Sequence, residues 1–315
     1  MAGTVYFGST RTADQAVAES VTGTSLAVPP SFTLAPSGAW CWFGDPRAVH
    51  NRGLHRRTFV GYITSVGDIR VTQYDHDTGQ TVTSTLMTRF QVDDHNNPSI
   101  LIRHDGRVVV FWSGHLGPTM YYRRSVAVED ISAGWESVKS LPTNTPGNSG
   151  YTYSNPVELS SEQNRLYLFW RGGNFNPSWS TTNGSDVWTT ARTLVTVPGQ
   201  RPYLKVASND VDTIHFAFTD GHPRNVQTSI YHMYYRAGSL YRSDGTRIGP
   251  VTTAVTPAQA TGSTTATRAP ARHGYTTSPS TAAGDRSSPS PGSRPTPTTA
   301  TTTAGGPAAP GRRAS

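Results

Sequence analysis

The 315-residue chain predicts an all-β fold, a β-propeller of four-stranded antiparallel blades, and three observations carry that prediction. First, strand-like runs rich in Val, Tyr, Trp and Phe fill the chain to about residue 251, and no amphipathic helix pattern interrupts them. Second, a frame recurs. Asn97-Pro98 is followed, 14 residues after the proline, by Trp112 and then Ser113-Gly114-His115. Asn155-Pro156 is followed, again 14 residues after the proline, by Trp170 and then Arg171-Gly172-Gly173. Looser copies run from Arg201-Pro202 to Phe218 and Asp220-Gly221-His222, and from Asp45-Pro46 to Gly61. Successive prolines of the frame are 46 to 58 residues apart, close to the roughly 40 to 50 residues of a propeller blade. Third, Asp105-Gly106 and Asp244-Gly245 punctuate apolar runs as hairpin turns do, because Gly tolerates the positive φ such a turn needs.

The elements follow in order. Residues 1–36 are polar and irregular, with a break at Pro29-Pro30. Gly38–His50 opens the patterned region, and its aromatics Trp40, Trp42 and Phe43 read as core packing. Arg57–Ile63, Asp68–Tyr74 and Thr81–Arg89 are strands of a first blade. The second blade spans Asp93–Trp135 and contains the hairpin Ser99–Arg103 and Arg107–Trp112. The third spans Tyr151–Leu194 with Leu166–Trp170 as its inner strand, and the fourth spans Arg201–Ile248. In the fourth, His215 alternates with apolar neighbours in T-I-H-F-A-F, as a buried, hydrogen-bonded histidine would.

Residues 252–315 form a low-complexity Thr/Pro/Ala/Arg tail that lacks the apolar residues a core requires. A disordered tail is one explanation. A shifted reading frame is the other, since permitted codons for Ala271–Thr281, read one base earlier, can spell the strand-like T-A-W-V-Y-D-V-A-L-D. The tail holds six Arg and one Asp, which is +5 of the net +7, so the high pI says little about the blades. No nucleic-acid motif, membrane-length apolar run or nucleic-acid partner is predicted. Cys41 is the sole cysteine, which excludes an intrachain disulfide and a Cys-based zinc site. Met1–Ser20 lacks the basic start and apolar centre of a secretory signal.

The hairpin places His95 just before its first strand and His115 just after its second, so the two histidines are expected at one end of the sheet. In the repeat frame Tyr153 occupies the slot of His95, each three residues before the shared proline, and Arg171 occupies the slot of Ser113. If blades radiate around an axis, His95, His115, Tyr153 and Arg171 converge as catalytic candidates. Arg201, His222 and Asn97 are the substrate-binding candidates. β-Elimination from a uronate suits this set: Arg neutralises the carboxylate, while His and Tyr exchange protons with the sugar. Glycoside hydrolysis would need two facing carboxylates, whereas Asp93-Asp94 are adjacent in the chain. An exo-acting hydrolase, a non-catalytic glycan-binding propeller and an inactive fragment stay open as alternatives.

A-W-C-W-F-G-D-P-R, D-D-H-N-N-P-S, V-F-W-S-G-H and H-F-A-F-T-D-G-H-P-R-N resemble the BNR-repeat propellers that include polysaccharide lyases acting on ulvan, over roughly residues 38–250. The resemblance implies a seven-bladed ring, of which this chain carries about four, and an acidic polysaccharide as partner; the chain is expected to be a monomer. It implies a histidine and a tyrosine as acid and base, falling on His95, His115 and Tyr153. It implies an arginine against the uronate, falling on Arg171, and a binding arginine at Arg201. It also implies secretion. No cofactor is predicted, and a structural calcium or zinc ion is compatible with the pattern.

Overall fold

A computed structural model describes residues 33–263. The expectations for the leader up to residue 32 and for the tail from 264, including the shifted frame, lie outside the described residues.

Four antiparallel sheets follow one another along the chain, and each contains a four-stranded meander. Sheet I uses Ala48–Arg52, Arg56–Thr64, Ile69–Asp75 and Thr81–Met87, with Gly38–Ala39 added beside Arg56–Thr64. Sheet II uses Ser99–Ile102, Arg107–Ser113, Met120–Val128 and Lys139–Ser140, with Asp130–Trp135 added. Sheet III is Thr152–Leu159, Arg165–Arg171, Pro177–Thr182 and Arg192–Thr193. Sheet IV runs from Leu204–Ser208 through Thr213–Thr219, Ile230–Arg236 and Ser239–Tyr241, with Arg247–Pro250 and Thr261–Gly262 added. The sheets are not joined into a closed ring; bridges at Gly117–Tyr151 and Val195–Val255 link neighbours. Among the described residues, no helix is long and apolar enough to cross a membrane.

Face-to-face packing explains why the central strands are apolar on both sides. In Arg107–Ser113, Val108, Val110 and Trp112 pack toward sheet I, while Val109 and Phe111 pack toward sheet III. In Arg165–Arg171, Leu166, Leu168 and Trp170 face sheet II, while Tyr167 and Phe169 face sheet IV. A strand covered on both faces has no polar side to show, so period-two alternation disappears. In Thr213–Thr219, Ile214, Phe216 and Phe218 are buried against sheet III, while His215 and Ala217 are exposed, and alternation returns.

Three expectations are corrected. Leu166–Trp170 is not the innermost strand of its sheet: Ala48–Arg52, Ser99–Ile102, Thr152–Leu159 and Leu204–Ser208 line the central cavity of about 880 Å³. His215 is exposed and sits 3.1 Å from His232, because its side chain falls on the uncovered face of sheet IV. The ordered fourth sheet passes the boundary at 251, since Val251, Val255 and Ala260 are buried in its core and Thr261–Gly262 pairs with Ile230–Arg236.

Candidate active site

The site is built on turn chemistry. Asp93 caps the 3₁₀ turn Asp94–Asn96, accepting the His95 N–H on Oδ1 at 2.9 Å. That turn delivers His95 to the start of the hairpin. Gly106 at φ +76° closes the other end, where a Cβ would sit 2.4 Å from Val128. Beyond the second strand, His115 returns, its N–H donating to Gln91 Oε1 at 2.9 Å. The two imidazoles stack with centroids 3.9 Å apart and planes 4° from parallel.

Asp93 holds both rings. Its Oδ1 lies 2.6 Å from His95 Nδ1, and its Oδ2 lies 2.9 Å from His115 Nδ1. Asp94 Oδ1 lies 2.9 Å from the same His95 nitrogen. Burial pushes the Asp93 carboxyl up, but the hydrogen bonds from His95 N–H and the two imidazoles outweigh it and hold the group below the usual carboxylate range. A carboxylate only accepts, so each neutral imidazole carries its proton on Nδ1 and presents Nε2 as a lone pair.

Tyr153 enters through a β-bulge. Thr152 pairs with Arg171 and Asn155 with Phe169, so two residues of sheet III oppose Trp170 alone. Tyr153 takes φ +62°, which re-aims its ring to 5.4 Å from His95. The phenol is buried, and burial pushes its pKa well above the ordinary value, against the opposing pull of Arg171. Arg171 ends the next strand, with its guanidinium carbon 4.7 Å over the Tyr153 ring and 5.6 Å from the rings of Phe175 and Tyr203. It is 7% exposed, its Nε has no partner, and no carboxylate pairs with it among the described residues.

Arg201 and His222 lie at the far end. Arg201 sits 4.2 Å over Phe175, and the His222 ring is 5.1 Å from Tyr203. Burial and the positive field of Arg171, Arg201 and Arg224 lower the His222 pKa. The structure therefore brings His95, His115, Tyr153, Arg171, Arg201 and His222 into one connected set. Asn97 departs from its expected role: it is 2% exposed, and its amide donates to the Pro98 carbonyl beneath the site. The proline frame that makes Asn97 recur also buries it.

Residues 57–289 match the family model described as BNR repeat-containing. The chain belongs to this family. An ulvan lyase of Pseudoalteromonas sp. strain PLSV is 29% identical over 163 residues, covering 43% of this chain and 32% of that protein. One from Alteromonas sp. strain LOR is 29% identical over 157 residues, covering 42% and 30%. This BNR repeat protein thus spans about a third of the length of the curated relatives it matches. An ulvan lyase solved with a bound glucuronate–sulfated rhamnose ligand superposes with a TM-score of 0.57 at 18% identity, over 72% of this chain and 59% of that one, which shows the shared fold.

Asp93 and Tyr203 are the contributors that motif spacing passes over in this BNR repeat protein. Asp93 stands two residues before a motif histidine but carries no repeat partner, and Tyr203 follows its frame proline instead of preceding it. Asp93, His95 and His115 also offer donor atoms within 4.8 Å of one another, as a metal site would. In the present side-chain arrangement each Nδ1 faces its own Asp93 oxygen.

Proposed function

We propose that this chain carries the reacting face of a lyase that cleaves a uronate-containing polysaccharide by β-elimination, with ulvan as the first substrate to try. The observation that carries this reading is Arg171, a buried guanidinium with no carboxylate partner among the described residues, 4.7 Å over a phenol that itself neighbours His95. An uncompensated buried cation is costly. A substrate carboxylate supplies the missing charge and accepts the guanidinium fork bidentately, which also drains electron density from the adjacent C–H bond.

His95 is the base. Its Nε2 takes the proton alpha to the carboxylate while Asp93 retains Nδ1–H and stabilises the imidazolium that forms. Tyr153 is the acid: burial keeps its proton on, and the O–H passes it to the leaving glycosidic oxygen as that C–O bond breaks and the ring double bond forms. His115 shares Asp93 and packs behind His95, fixing its plane. Arg201 and an uncharged His222 bind the flanking sugar. Base and acid stand side by side, so both protons move on one face of the sugar. That geometry favours glucuronate, whose alpha proton and leaving oxygen are cis, over its C5 epimer.

A glycosidase needs two carboxylates about 5–9.5 Å apart across the bond. Both Asp93 oxygens are already engaged by imidazoles, and Asp94 is bonded to His95. The deciding experiment incubates the full chain with ulvan and other uronate polysaccharides and follows the ultraviolet absorbance of the unsaturated product. A rise that His95→Ala and Arg171→Ala abolish supports the lyase. No rise from a folded chain that still binds the polymer moves the reading to a glycan-binding protein.

A further inference from the structure

The segment 40–46 leaves sheet I and crosses to the site. Asn155 Nδ2 donates to the Phe43 carbonyl at 3.0 Å, and the Asp45 N–H donates to the Ser154 carbonyl at 3.2 Å. The Phe43 ring lies 4.3 Å from Tyr203 and 5.6 Å from Tyr153. Contrary to the sequence expectation, none of the aromatics Trp40, Trp42 and Phe43 joins the core: Phe43 is half-buried against Tyr203 and Tyr153. Trp40 and Trp42, on either side of buried Cys41, are 50% and 65% exposed. A backbone crossing with its anchors at residues 41, 43 and 45 turns the intervening side chains outward.

The exposed pair is held in place. The two rings meet edge to face, with centroids 5.0 Å apart at 75°. The Arg47 guanidinium covers Trp40 at 4.4 Å, while its Nη1 donates to the Cys41 carbonyl at 2.8 Å. Ala39, the residue before Trp40, lines a groove of about 270 Å³ together with Val92, Asp93 and Asp94. The groove thus leads from the carboxylates that hold the imidazoles to the base of the tryptophan pair. Two adjacent indoles left in water cost hydrophobic free energy and mark a contact surface.

We propose that Trp42, backed by Trp40, is a stacking platform for a pyranose ring of the same glycan, beyond the sugar that reacts. A pyranose has an apolar C–H face and a polar rim; a flat indole complements the first, and Asp93, Asp94 and Ser65 of the adjoining groove offer acceptors to the second. Continuity with the acid–base centre through Phe43, Tyr153 and the Asp93 groove commits the surface to the substrate chain. The identity of that chain rests on the lyase reading; the platform itself is read by binding.

The test uses the full chain carrying His95→Ala, so that bound polymer is not consumed, titrated with ulvan while tryptophan emission is followed. The expected result is a saturating blue shift. Adding Trp42→Ala removes most of that shift and raises the half-saturating concentration up to about tenfold. Adding Trp42→Phe instead retains most of the affinity. An unchanged emission response and half-saturation in Trp42→Ala overturn the platform. A Trp42-dependent response in a chain whose wild type yields no unsaturated product sinks the lyase and leaves the platform standing. Unsaturated product with Trp42-independent binding does the reverse.

Discussion

A carboxylate shared between two imidazole Nδ1–H groups decides which nitrogen of each ring faces the substrate. Asp93→Asn removes one of those acceptors, because an amide offers one carbonyl oxygen and one NH₂. One imidazole then has to change tautomer or turn. Loss of such an orienting partner costs about 10- to 100-fold in activity, and the imidazole ¹⁵N spectrum should show one ring with its proton moved to Nε2. An unchanged spectrum and rate would remove Asp93 from the mechanism. Arg171→Lys keeps the charge but loses the planar fork between the rings of Tyr153, Phe175 and Tyr203. The expected loss in kcat/KM is about 10²–10³-fold, comparable with removal of a transition-state donor. A change under threefold would put the carboxylate elsewhere. The residue types at these positions are visible in the chain, and so is the pairing of His95 with His115. The shared carboxylate is not, since Asp93 and Asp94 look alike in sequence and only the Asp93 cap geometry brings both of its oxygens to the rings.

At the scale of elements, the hairpin and the bulge differ in how local they are. Asp105-Gly106 encodes its turn within four residues, and the strands form at Ser99–Ile102 and Arg107–Ser113 as their pattern predicts. The bulge at Tyr153 has no such signature. Y-T-Y-S-N-P reads as an ordinary alternating strand, and the extra residue exists only in register against Phe169 and Arg171. The frame tryptophans are structural at the same scale. Trp170 is 1% exposed, packs between sheets II and III, and donates its Nε1–H to Asn144 Oδ1 at 2.7 Å. Trp170→Ala should destabilise by about 3–5 kcal/mol, measured by denaturant unfolding, and should loosen Arg171 one residue on. A loss under 1 kcal/mol would mean that the sheets pack less tightly than described.

At the scale of the whole described region, long-range contacts carry the site. Lys205 of sheet IV pairs with Asp45, between Gly38–Ala39 and Ala48–Arg52 of sheet I, and Phe43 meets Tyr203, so this loop of the first sheet is tied to the fourth. Burial also gives the molecule an alkaline limit. Burial pushes Tyr122 up to about 12 and pushes Tyr151, Tyr153 and Tyr167 higher still. A phenol raised above its unfolded value of about 10 contributes full stability below that pH and loses it as pH rises, because the unfolded chain ionises first. The melting temperature should therefore hold to pH 10 and fall steeply between pH 10 and 12. A flat profile across that window would contradict the buried phenols.

Local chemistry let the sequence alone determine the all-β class, the repeat frame, the Asp-Gly turns and the proximity of His95 to His115. Each depends on φ preference, side-chain periodicity or strand pairing over a few residues. Only the tertiary structure decided that Asp93 clamps both imidazoles, that Tyr153 is turned by a bulge, that Arg171 is buried without a counter-charge and that Trp40 and Trp42 face water. Those outcomes depend on which sheet lies across from which, and no local pattern encodes that.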